Sequence, residues 1–492
     1  MVNEKLLKKT ESLCPRCMEK IPARLVDREG KVIIKKNCPE HGDFEDIYWG
    51  NTEGYNRVMR YLHEGTSIEN PRTKRDKGCP YDCGLCNEHK SHTILGIIDV
   101  TNRCNLNCPI CFANANSTGL VYEPSLEQIR KMLENLRKNR PIKSFAFQFS
   151  GGEPTIRNDL PEMIKIAKEM GFSYIMVDTN GIKIAEDRKY IKVLHEAGLN
   201  SFYLQFDGLD DDVYELTRGM PMLKTKLQAI ENCRKLGLRN IVLVVTLIKG
   251  INDKQIGGII KFAIENSDVI TCVNFQPISF AGKASSMEVK KNRITTNEFM
   301  ELVEKQTNGR IKKEYFYPIP AMVPASDFIE AYKGRDIPKL STHPCCGIGT
   351  YVIINENNSY MPINEIVNVD KFFDILKMGS KELKKNRGIS LKLSNIRLKA
   401  RLLGEVLKSV RDSKRRDLIG RIIKNATVKD TINFHKNAVM IGCMHFMDSW
   451  NFDMDRVCRC VIHYALPDGR LVPFCSYNTI HRAELERKYS VP

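Results

Sequence analysis

The chain has 492 residues, of which 42% are hydrophobic and 27% are charged, and its formal net charge is +17. This length exceeds one ordinary domain, so we expect two or three domains with real apolar cores. No apolar run reaches the roughly 18–20 residues of a membrane-spanning helix, and we expect no signal peptide. The composition therefore excludes an integral membrane protein.

The excess of 76 basic over 59 acidic side chains favours an anionic partner, such as nucleic acid, a phosphorylated substrate or an anionic membrane surface. A solvated lysine-rich surface, as in heat-adapted proteins, explains the same charge equally well. The 17 cysteines occur in short repeated spacings, which indicates metal ligands in a reducing cytoplasm and not disulfides.

Residues 1–78 form a small predicted metal module around a strand-like segment, Lys31–Lys36. Its candidate ligands are Cys14, Cys17, Cys38 and His41, in a C-x2-C and C-x2-H arrangement. Three thiolates and one imidazole suit a single tetrahedral zinc or iron with a structural role. The alternative is an exposed His41 with a different fourth ligand.

Two cysteine triplets with the same spacing follow, and each could hold a cluster. The first is Cys79, Cys83 and Cys86, and the second is Cys104, Cys108 and Cys111. Three local thiolates leave one iron of a cubane free to bind a small molecule. A strand before the second triplet and a glycine-rich turn after the next strand favour that triplet as the catalytic one. The alternative is a zinc knuckle or buried free cysteines.

Between Ile94 and Ser285, apolar β-branched runs alternate with helical patterns, and a capping box at Ser125 and Gln128 starts the first helix. This alternation predicts an α/β fold with a parallel sheet buried on both faces. The predicted strands are Ile94–Val100, Phe145–Phe149, Tyr174–Val177, Phe202–Phe206, Ile241–Ile248 and Cys272–Ile278.

Polar residues follow the predicted strands at the edge where functional residues of such folds gather. The candidates are Asp178, Asn180, Gln205, Asp207 and Gln276. Each of them could instead cap the helix that follows its strand. Gly151 and Gly152 lack side chains, so we expect them to let the backbone approach a ligand closely.

The third region, residues 290–492, contains a basic helical stretch at 380–424 that could lie on an anionic surface or be an ordinary surface helix. Its tail carries Cys443, Cys458, Cys460 and Cys475, which predict one further fully ligated cluster, with a zinc site as the alternative.

The second cysteine triplet and the turn Gly151-Gly152-Glu153-Pro154 together resemble radical S-adenosylmethionine (SAM) enzymes. The resemblance implies a partial (β/α)6 barrel, a [4Fe–4S] cluster on the triplet and SAM held by the GGEP turn. The polar strand ends would then contact the SAM ribose, the SAM carboxylate or the substrate, and we assign them to the cofactor. Ile110 stands where many members have an aromatic residue, so contacts to adenine could differ.

The resemblance also identifies Cys346, with Gly349 after it, as the fourth ligand of the Cys79 triplet, and Cys345 as its rival. The predicted set is thus three [4Fe–4S] clusters, SAM and one mononuclear iron or zinc. The predicted domains are a metal module (1–78), the barrel with the preceding auxiliary motif (79–289) and an auxiliary-cluster domain (290–492).

Over nearly the whole chain, this combination of motifs resembles the archaeal tetraether lipid synthases. That resemblance implies carbon–carbon bond formation between terminal methyl carbons of two phytanyl chains of an anionic diether lipid. It further implies a cytoplasmic enzyme, peripheral at the membrane surface, with an electron donor such as a ferredoxin.

The alternative enzyme is a radical SAM methyltransferase acting on 7,8-dihydro-6-hydroxymethylpterin in methanopterin biosynthesis, because the cysteine motifs cannot separate the two. A long apolar groove would favour lipid and a small polar pocket would favour pterin. A nucleic-acid-binding metal protein is a third class, but it leaves the GGEP turn unexplained, so we expect no nucleic acid partner.

Overall fold

The computed structural model describes residues 4–490 except 240, 355–358, 386–399, 402, 406, 409 and 411–437. Two sheets organise this part of the chain, one of four strands and one of twelve. Most of the predicted basic stretch at 380–424 lies outside the described residues, so its helical character stays a prediction.

The smaller sheet is an antiparallel meander in the order β1-β2-β3-β4. Its strands are β1 Glu4–Leu13, β2 Lys20–Arg28, β3 Lys31–Cys38 and β4 Gly42–Trp49. Along β3, every second residue is buried, as expected for a sheet with one covered face. The turns that join β1 to β2 and β3 to β4 carry the predicted metal ligands.

Six consecutive parallel strands form the core of the larger sheet, and they confirm the predicted α/β barrel. They are β5 Leu95–Thr101, β6 Ala146–Gly151, β7 Tyr174–Thr179, β8 Ser201–Gln205, β9 Ile241–Leu247 and β10 Ile270–Pro277. Continuous apolar runs such as β9 bury both faces, since helices cover the outside and a cavity lies inside.

Helices connect these strands and cover the outside of the barrel. Helix α1 Thr52–Met59 follows the small sheet and contacts β3. The helices between the barrel strands are α2 Leu126–Arg137, α3 Leu160–Glu169, α4 Ile182–Glu186, α5 Arg188–Ala197, α6 Asp211–Arg218, α7 Leu223–Lys235 and α8 Ile256–Glu265. The predicted capping box is confirmed at the start of α2, where Ser125 and Gln128 exchange side-chain and backbone hydrogen bonds.

The last 200 residues complete the same sheet at both of its edges. Their strands are β11 Tyr317–Pro318, β12 Gly347–Ile354, β13 Tyr360–Pro362, β14 Ala438–Met444, β15 Ile462–Ala465 and β16 Leu471–Pro473. Strand β14 pairs in parallel with β10, and β15 pairs in parallel with β5. The predicted division at residue 289 stays a prediction, and the two regions on either side of it share one sheet.

The helices of this region lie between those strands and after them. They are α9 Val289–Asn292, α10 Thr296–Gln306, α11 Val323–Lys333, α12 Ile363–Ile366, α13 Val369–Lys385, α14 Met454–Cys458, α15 Phe474–Ser476 and α16 Arg482–Tyr489. Among the described residues, no helix combines the length and the apolar character needed to cross a bilayer.

Candidate active site in the barrel interior

A cavity of about 1340 Å³ occupies the barrel interior. Alternate residues of each strand line it, because successive side chains of a strand point to opposite faces. Strand β7 contributes Tyr174, Met176 and Asp178, for example. The cavity runs from the carboxyl ends of the strands, at Gly151 and Asn180, to their amino ends, and its walls are mostly apolar. It is therefore larger and less polar than the small polar pocket that the pterin alternative predicted.

The second cysteine triplet lies at the carboxyl-end mouth of this cavity. Cys104, Cys108 and Cys111 all line it. Asn116 holds their loop, since its Oδ1 accepts from the Cys104 N–H at 3.0 Å and its Nδ2 donates to the Cys104 carbonyl at 2.9 Å. Asn116 has φ +61°, a conformation that asparagine tolerates better than most residues. The sequence analysis did not single out this asparagine.

The backbone packing around the GGEP turn requires glycine at positions 151 and 152. A Cβ on Gly151 would lie 2.2 Å from the Thr101 carbonyl oxygen, and one on Gly152 would lie 2.1 Å from that of Arg103. The Gly152 N–H donates to Thr101 O at 2.6 Å. The glycines therefore let the turn dock on the backbone that leads into the cysteine loop. Both also line the cavity, and their predicted close approach to a ligand stays a prediction.

Glu153 is fully buried and its carboxylate is already occupied. Its Oε1 accepts from the hydroxyls of Thr155 and Thr179, at 2.6 and 2.8 Å, and its Oε2 accepts from the Asn180 N–H at 2.7 Å. Burial raises the pKa of Glu153, although these donors lower it. Glu153 thus ties the GGEP turn, which continues with the buried Pro154, to the end of β7.

Three of the predicted polar strand ends, Asn180, Gln205 and Asp207, contact two cations, Arg218 and Lys226. The buried Asp207 accepts from Arg218 Nε at 2.5 Å, and Gln205 accepts from Lys226 Nζ at 2.5 Å. Lys226 also donates to the Asn180 carbonyl. Burial lowers the pKa of Lys226 to about 7. No local motif in the sequence marks these two cations, which lie on α6 and α7.

Arg218 links this network to the cysteine loop. It lines the cavity, and its guanidinium lies near enough to the Cys108 thiol to interact with it electrostatically. On the other side, Asn180 Nδ2 donates to Asn105 Oδ1 at 2.7 Å. Asp207 and Gln205 therefore position Arg218 and Lys226, whereas Asn180 faces the cavity directly.

Asp178 and Gln276 lie deeper, on inward-facing positions of β7 and β10. Asp178 accepts from the Ser150 hydroxyl at 3.2 Å. Gln276 donates to the hydroxyl oxygen of Tyr203 at 3.0 Å, and Asn274 also donates to that oxygen. These side chains make a polar band inside otherwise apolar walls.

The predicted ligands of the N-terminal module come together in the structure. The candidate ligand atoms of Cys14, Cys17, Cys38 and His41 all lie within 4.8 Å of one another. His41 Nδ1 is 3.5 Å from Cys38 Sγ and 3.7 Å from Cys14 Sγ. A donor set of three sulfurs and one imidazole fits a tetrahedral ion.

The auxiliary cysteines group differently from the prediction. Cys458, and not Cys346, joins the Cys79 triplet, because its thiol contacts that of Cys79 and lines a small pocket with Cys83 and Cys86. His89 also lines that pocket and is buried.

A second group consists of Cys346, Cys460 and Cys475, whose thiols influence one another electrostatically. Arg456 Nε donates to Cys346 Sγ at 3.5 Å within this group. Cys443 is fully buried in β14 beside Thr296, so the predicted tail cluster of Cys443, Cys458, Cys460 and Cys475 does not form as one set. The rival Cys345 is also fully buried. Tertiary contacts decide this grouping, and sequence spacing does not encode them.

Two family profiles match the chain. The radical SAM superfamily matches residues 98–263, which contain the second cysteine triplet and the GGEP turn. The "HMPTM N-terminal zinc ribbon domain" matches residues 6–50, which contain the N-terminal ligand group. The protein is therefore a radical SAM enzyme with an N-terminal zinc ribbon, and its family uses a [4Fe–4S] cluster and SAM.

Similar proteins cover the whole chain or only the barrel. A 7,8-dihydro-6-hydroxymethylpterin dimethyltransferase of Methanocaldococcus jannaschii is 50% identical over 99% of this chain and 96% of its own length. A GTP 3′,8-cyclase of Alkaliphilus oremlandii is 27% identical over 44% of this chain and 68% of its own. Among solved structures, Streptococcus suis SuiB bound to S-adenosylmethionine is 16% identical, with a TM-score of 0.37, over 44% of this chain and 47% of its own.

The near full-length relative corrects the resemblance to tetraether lipid synthases, because an enzyme named as a methyltransferase is 50% identical over 99% of this chain. The expected anionic lipid partner, lipid carbon–carbon bond formation and membrane-surface role are wrong on the same ground. The methyltransferase alternative is the one that the comparison supports. The chain belongs to the radical SAM superfamily and, within it, to the family of the M. jannaschii 7,8-dihydro-6-hydroxymethylpterin dimethyltransferase.

Proposed function

We propose that the protein is a radical SAM methyltransferase that acts on 7,8-dihydro-6-hydroxymethylpterin in methanopterin biosynthesis. The observation that carries the proposal is the 50% identity to an enzyme of that name over 99% of the chain. Such similarity includes the zinc ribbon and the cysteine-rich tail, which partial relatives of the barrel do not cover. The reducing cytoplasm suits its many free thiols and is the compartment we propose.

Cys104, Cys108 and Cys111 are the residues that would hold the catalytic cluster. Their thiols lie together at the mouth of the cavity, and three thiolates are the ligand set for a cluster that also takes SAM. When bound, the cluster and SAM supply the radical chemistry, while the protein orients the reactants and excludes water. Arg218 places a positive charge beside Cys108, and Asp207 fixes its orientation.

We propose that Asn180 is the polar strand end nearest to bound SAM. It lies beside the cysteine loop, with Nδ2 4.0 Å from Cys104 Sγ, and it lines the cavity. The roles of Gln205 and Asp207 are indirect in this proposal, because their side chains are bonded to Lys226 and Arg218.

We also propose two auxiliary clusters and one mononuclear ion. Cys79, Cys83, Cys86 and Cys458 supply a complete set of four thiols for the first cluster. Cys346, Cys460 and Cys475 supply three for the second. Cys14, Cys17, Cys38 and His41 suit zinc or iron.

The test is anaerobic incubation of reconstituted enzyme with SAM, a low-potential reductant and 7,8-dihydro-6-hydroxymethylpterin. We expect 5′-deoxyadenosine formation that depends on the pterin, and a pterin product that mass spectrometry shows to carry added methyl groups. Cys108→Ala should abolish both, while Asp268→Asn, a change on the outer surface, should abolish neither. Cleavage of SAM that is indifferent to the pterin, with no methylated product, would overturn the proposal.

A further inference from the structure

Asp178, which is partly buried, differs from the buried carboxylates around the barrel. Glu153 accepts from two threonine hydroxyls and two backbone N–H groups, and Asp207 is paired with Arg218. Asp99 is paired with Arg482 at 2.8 Å. Among the described residues, the hydrogen-bond donor to the Asp178 carboxylate is the Ser150 hydroxyl. A carboxylate that lines a cavity and has so few donors keeps hydrogen-bonding capacity for a ligand.

The position of Asp178 makes such a ligand accessible. It lines the cavity on the inward face of β7, one layer above Met176. Burial is the largest cause that raises its pKa, to about 7, and the nearby Glu153 adds to the effect. The carboxylate thus faces an enclosed space in which hydrogen-bond donors would stabilise its charge strongly.

Tyr203 provides a complementary group beside it. In the register of β7 and β8, Asp178 stands opposite Tyr203, and adjacent strands are about 4.8 Å apart. The Tyr203 oxygen accepts hydrogen bonds from Asn274 and from Gln276. With two donors on the oxygen, the hydroxyl hydrogen is left to be donated to an acceptor in the cavity.

A carboxylate accepts two parallel N–H bonds, and a neighbouring hydroxyl donates one. A 2-amino-4-oxopyrimidine ring offers the matching groups, since its ring N–H and exocyclic amine are adjacent donors and its oxygen and ring nitrogens are acceptors. We propose that Asp178 anchors the amino-pyrimidinone edge of the substrate, and that Tyr203 donates to the same ring. The inference rests on the proposed function and names the residues that select the pterin.

Asp178 would then contact the substrate, which is one of the two roles open to the polar strand ends, and not SAM. Asn180, Glu153 and the GGEP turn lie at the cysteine loop, whereas Asp178 is bonded to Ser150 and lies in register with Tyr203. SAM and the pterin would then occupy successive layers of one cavity. The apolar walls below this layer would pack against the rest of the ligand.

The experiment measures binding separately for the two ligands, by anaerobic equilibrium dialysis of reconstituted enzyme. We expect Asp178→Asn to weaken binding of 7,8-dihydro-6-hydroxymethylpterin at least tenfold and to leave SAM affinity within about twofold of the unaltered enzyme. Tyr203→Phe should weaken pterin binding less. Asp268→Asn, the same chemical change at a surface ion pair, should alter neither affinity.

Guanosine carries the same amino-pyrimidinone edge and distinguishes this inference from the proposed function. If the unaltered enzyme binds guanosine but not the pterin, and Asp178→Asn loses guanosine, the anchor stands and the proposed function fails. Pterin binding that Asp178→Asn leaves unchanged overturns the anchor alone. A parallel loss of SAM affinity in Asp178→Asn also overturns it, because Asp178 would then belong to the SAM site or to the fold.

Discussion

At the scale of single residues, chemistry in the barrel depends on which buried groups are already satisfied. Asp207 and Glu153 have typical catalytic residue types, yet their hydrogen bonds hold loops and cations in place. Asp178 has the same residue type with fewer partners. The sequence predicted all three as cofactor contacts, since a strand end marks where a side chain lies and not which neighbours it has.

The pH dependence of pterin binding should report on Asp178. Its pKa is raised to about 7, by burial first and by Glu153 next, while Ser150 and Arg218 lower it. Only the ionised carboxylate accepts both ring donors, so affinity should be nearly full at pH 8, about half at pH 7 and about a tenth at pH 6. Dialysis across this range measures the change.

The control for this pH dependence is Asp178→Asn, which cannot ionise. Its weaker affinity should vary little between pH 6 and pH 8. A pterin affinity that keeps the same slope in Asp178→Asn would assign the titration to another group, such as the pterin itself or Glu153.

Cys458 and Cys443 provide a matched test of the auxiliary grouping. Cys458 contacts the Cys79 thiol, whereas Cys443 is buried beside Thr296, away from the other thiols of the tail. We expect Cys458→Ala to lose about one cluster of iron per chain, measured by iron and sulfide analysis. Cys443→Ala should keep its full iron content. Loss of iron in Cys443→Ala with none in Cys458→Ala would restore the original tail cluster.

At the scale of elements, continuous apolar runs were enough to predict the barrel. All six predicted strands appear, with ends shifted by no more than two residues. Such runs mark strands buried on both faces without information from distant parts of the chain. The positions of β14 and β15 at the edges of the sheet were not predicted, because pairing with β10 and β5 connects residues far apart in sequence.

Docking between two elements explains the GGEP glycines and is directly testable. In Gly152→Ala, the new Cβ would lie 2.1 Å from the Arg103 carbonyl oxygen, which is backbone and cannot move aside cheaply. We therefore expect the cysteine loop to shift and the catalytic cluster to be lost or oxygen-labile, as measured by iron content and visible absorbance. Gly404→Ala is the control, since its Cβ meets nothing within 4 Å and alanine favours a helix. Normal iron content in Gly152→Ala would refute the docking role.

At the scale of the whole molecule, ion pairs and hydrogen bonds of buried charged side chains connect the N-terminal ribbon to the rest of the protein. Arg293 pairs with Asp46 of β4 at 2.7 Å and with Asp448 at 3.0 Å. Lys36 of β3 donates to the Ser449 carbonyl at 2.6 Å. Met447, the residue before Asp448, donates its N–H to Cys475 Sγ at 3.3 Å. One short loop therefore connects the ribbon to an auxiliary cysteine group.

The similarity of whole-chain layouts also explains why the substrate was predicted wrongly. Every motif used for the lipid interpretation, from Cys14 to Cys475, lies within the stretch that matches a pterin methyltransferase. Cysteine spacing reports which cofactors a protein can hold, whereas the substrate is chosen by cavity residues such as Asp178 and Tyr203. Those residues come from separate strands, so no local motif identifies them.

Loss of the ion pair between Arg293 and Asp448 should disturb the group of Cys346, Cys460 and Cys475 and leave the catalytic triplet intact. In Asp448→Ala, Arg293 stays buried with one acidic partner fewer, and breaking a buried pair typically costs about 3–5 kcal/mol. We expect a lower unfolding temperature, faster proteolysis of the ribbon and a changed electron paramagnetic resonance signal from the cluster near Cys475. The signal change that SAM causes at the catalytic cluster should persist, because Cys104, Cys108 and Cys111 lie on a different loop.

Asp43→Ala, at an exposed position on the ribbon, should alter none of these readouts. If Asp448→Ala lowers stability but leaves the auxiliary signal unchanged, the ribbon is a separate stabilising module and the loop does not couple it to the active site.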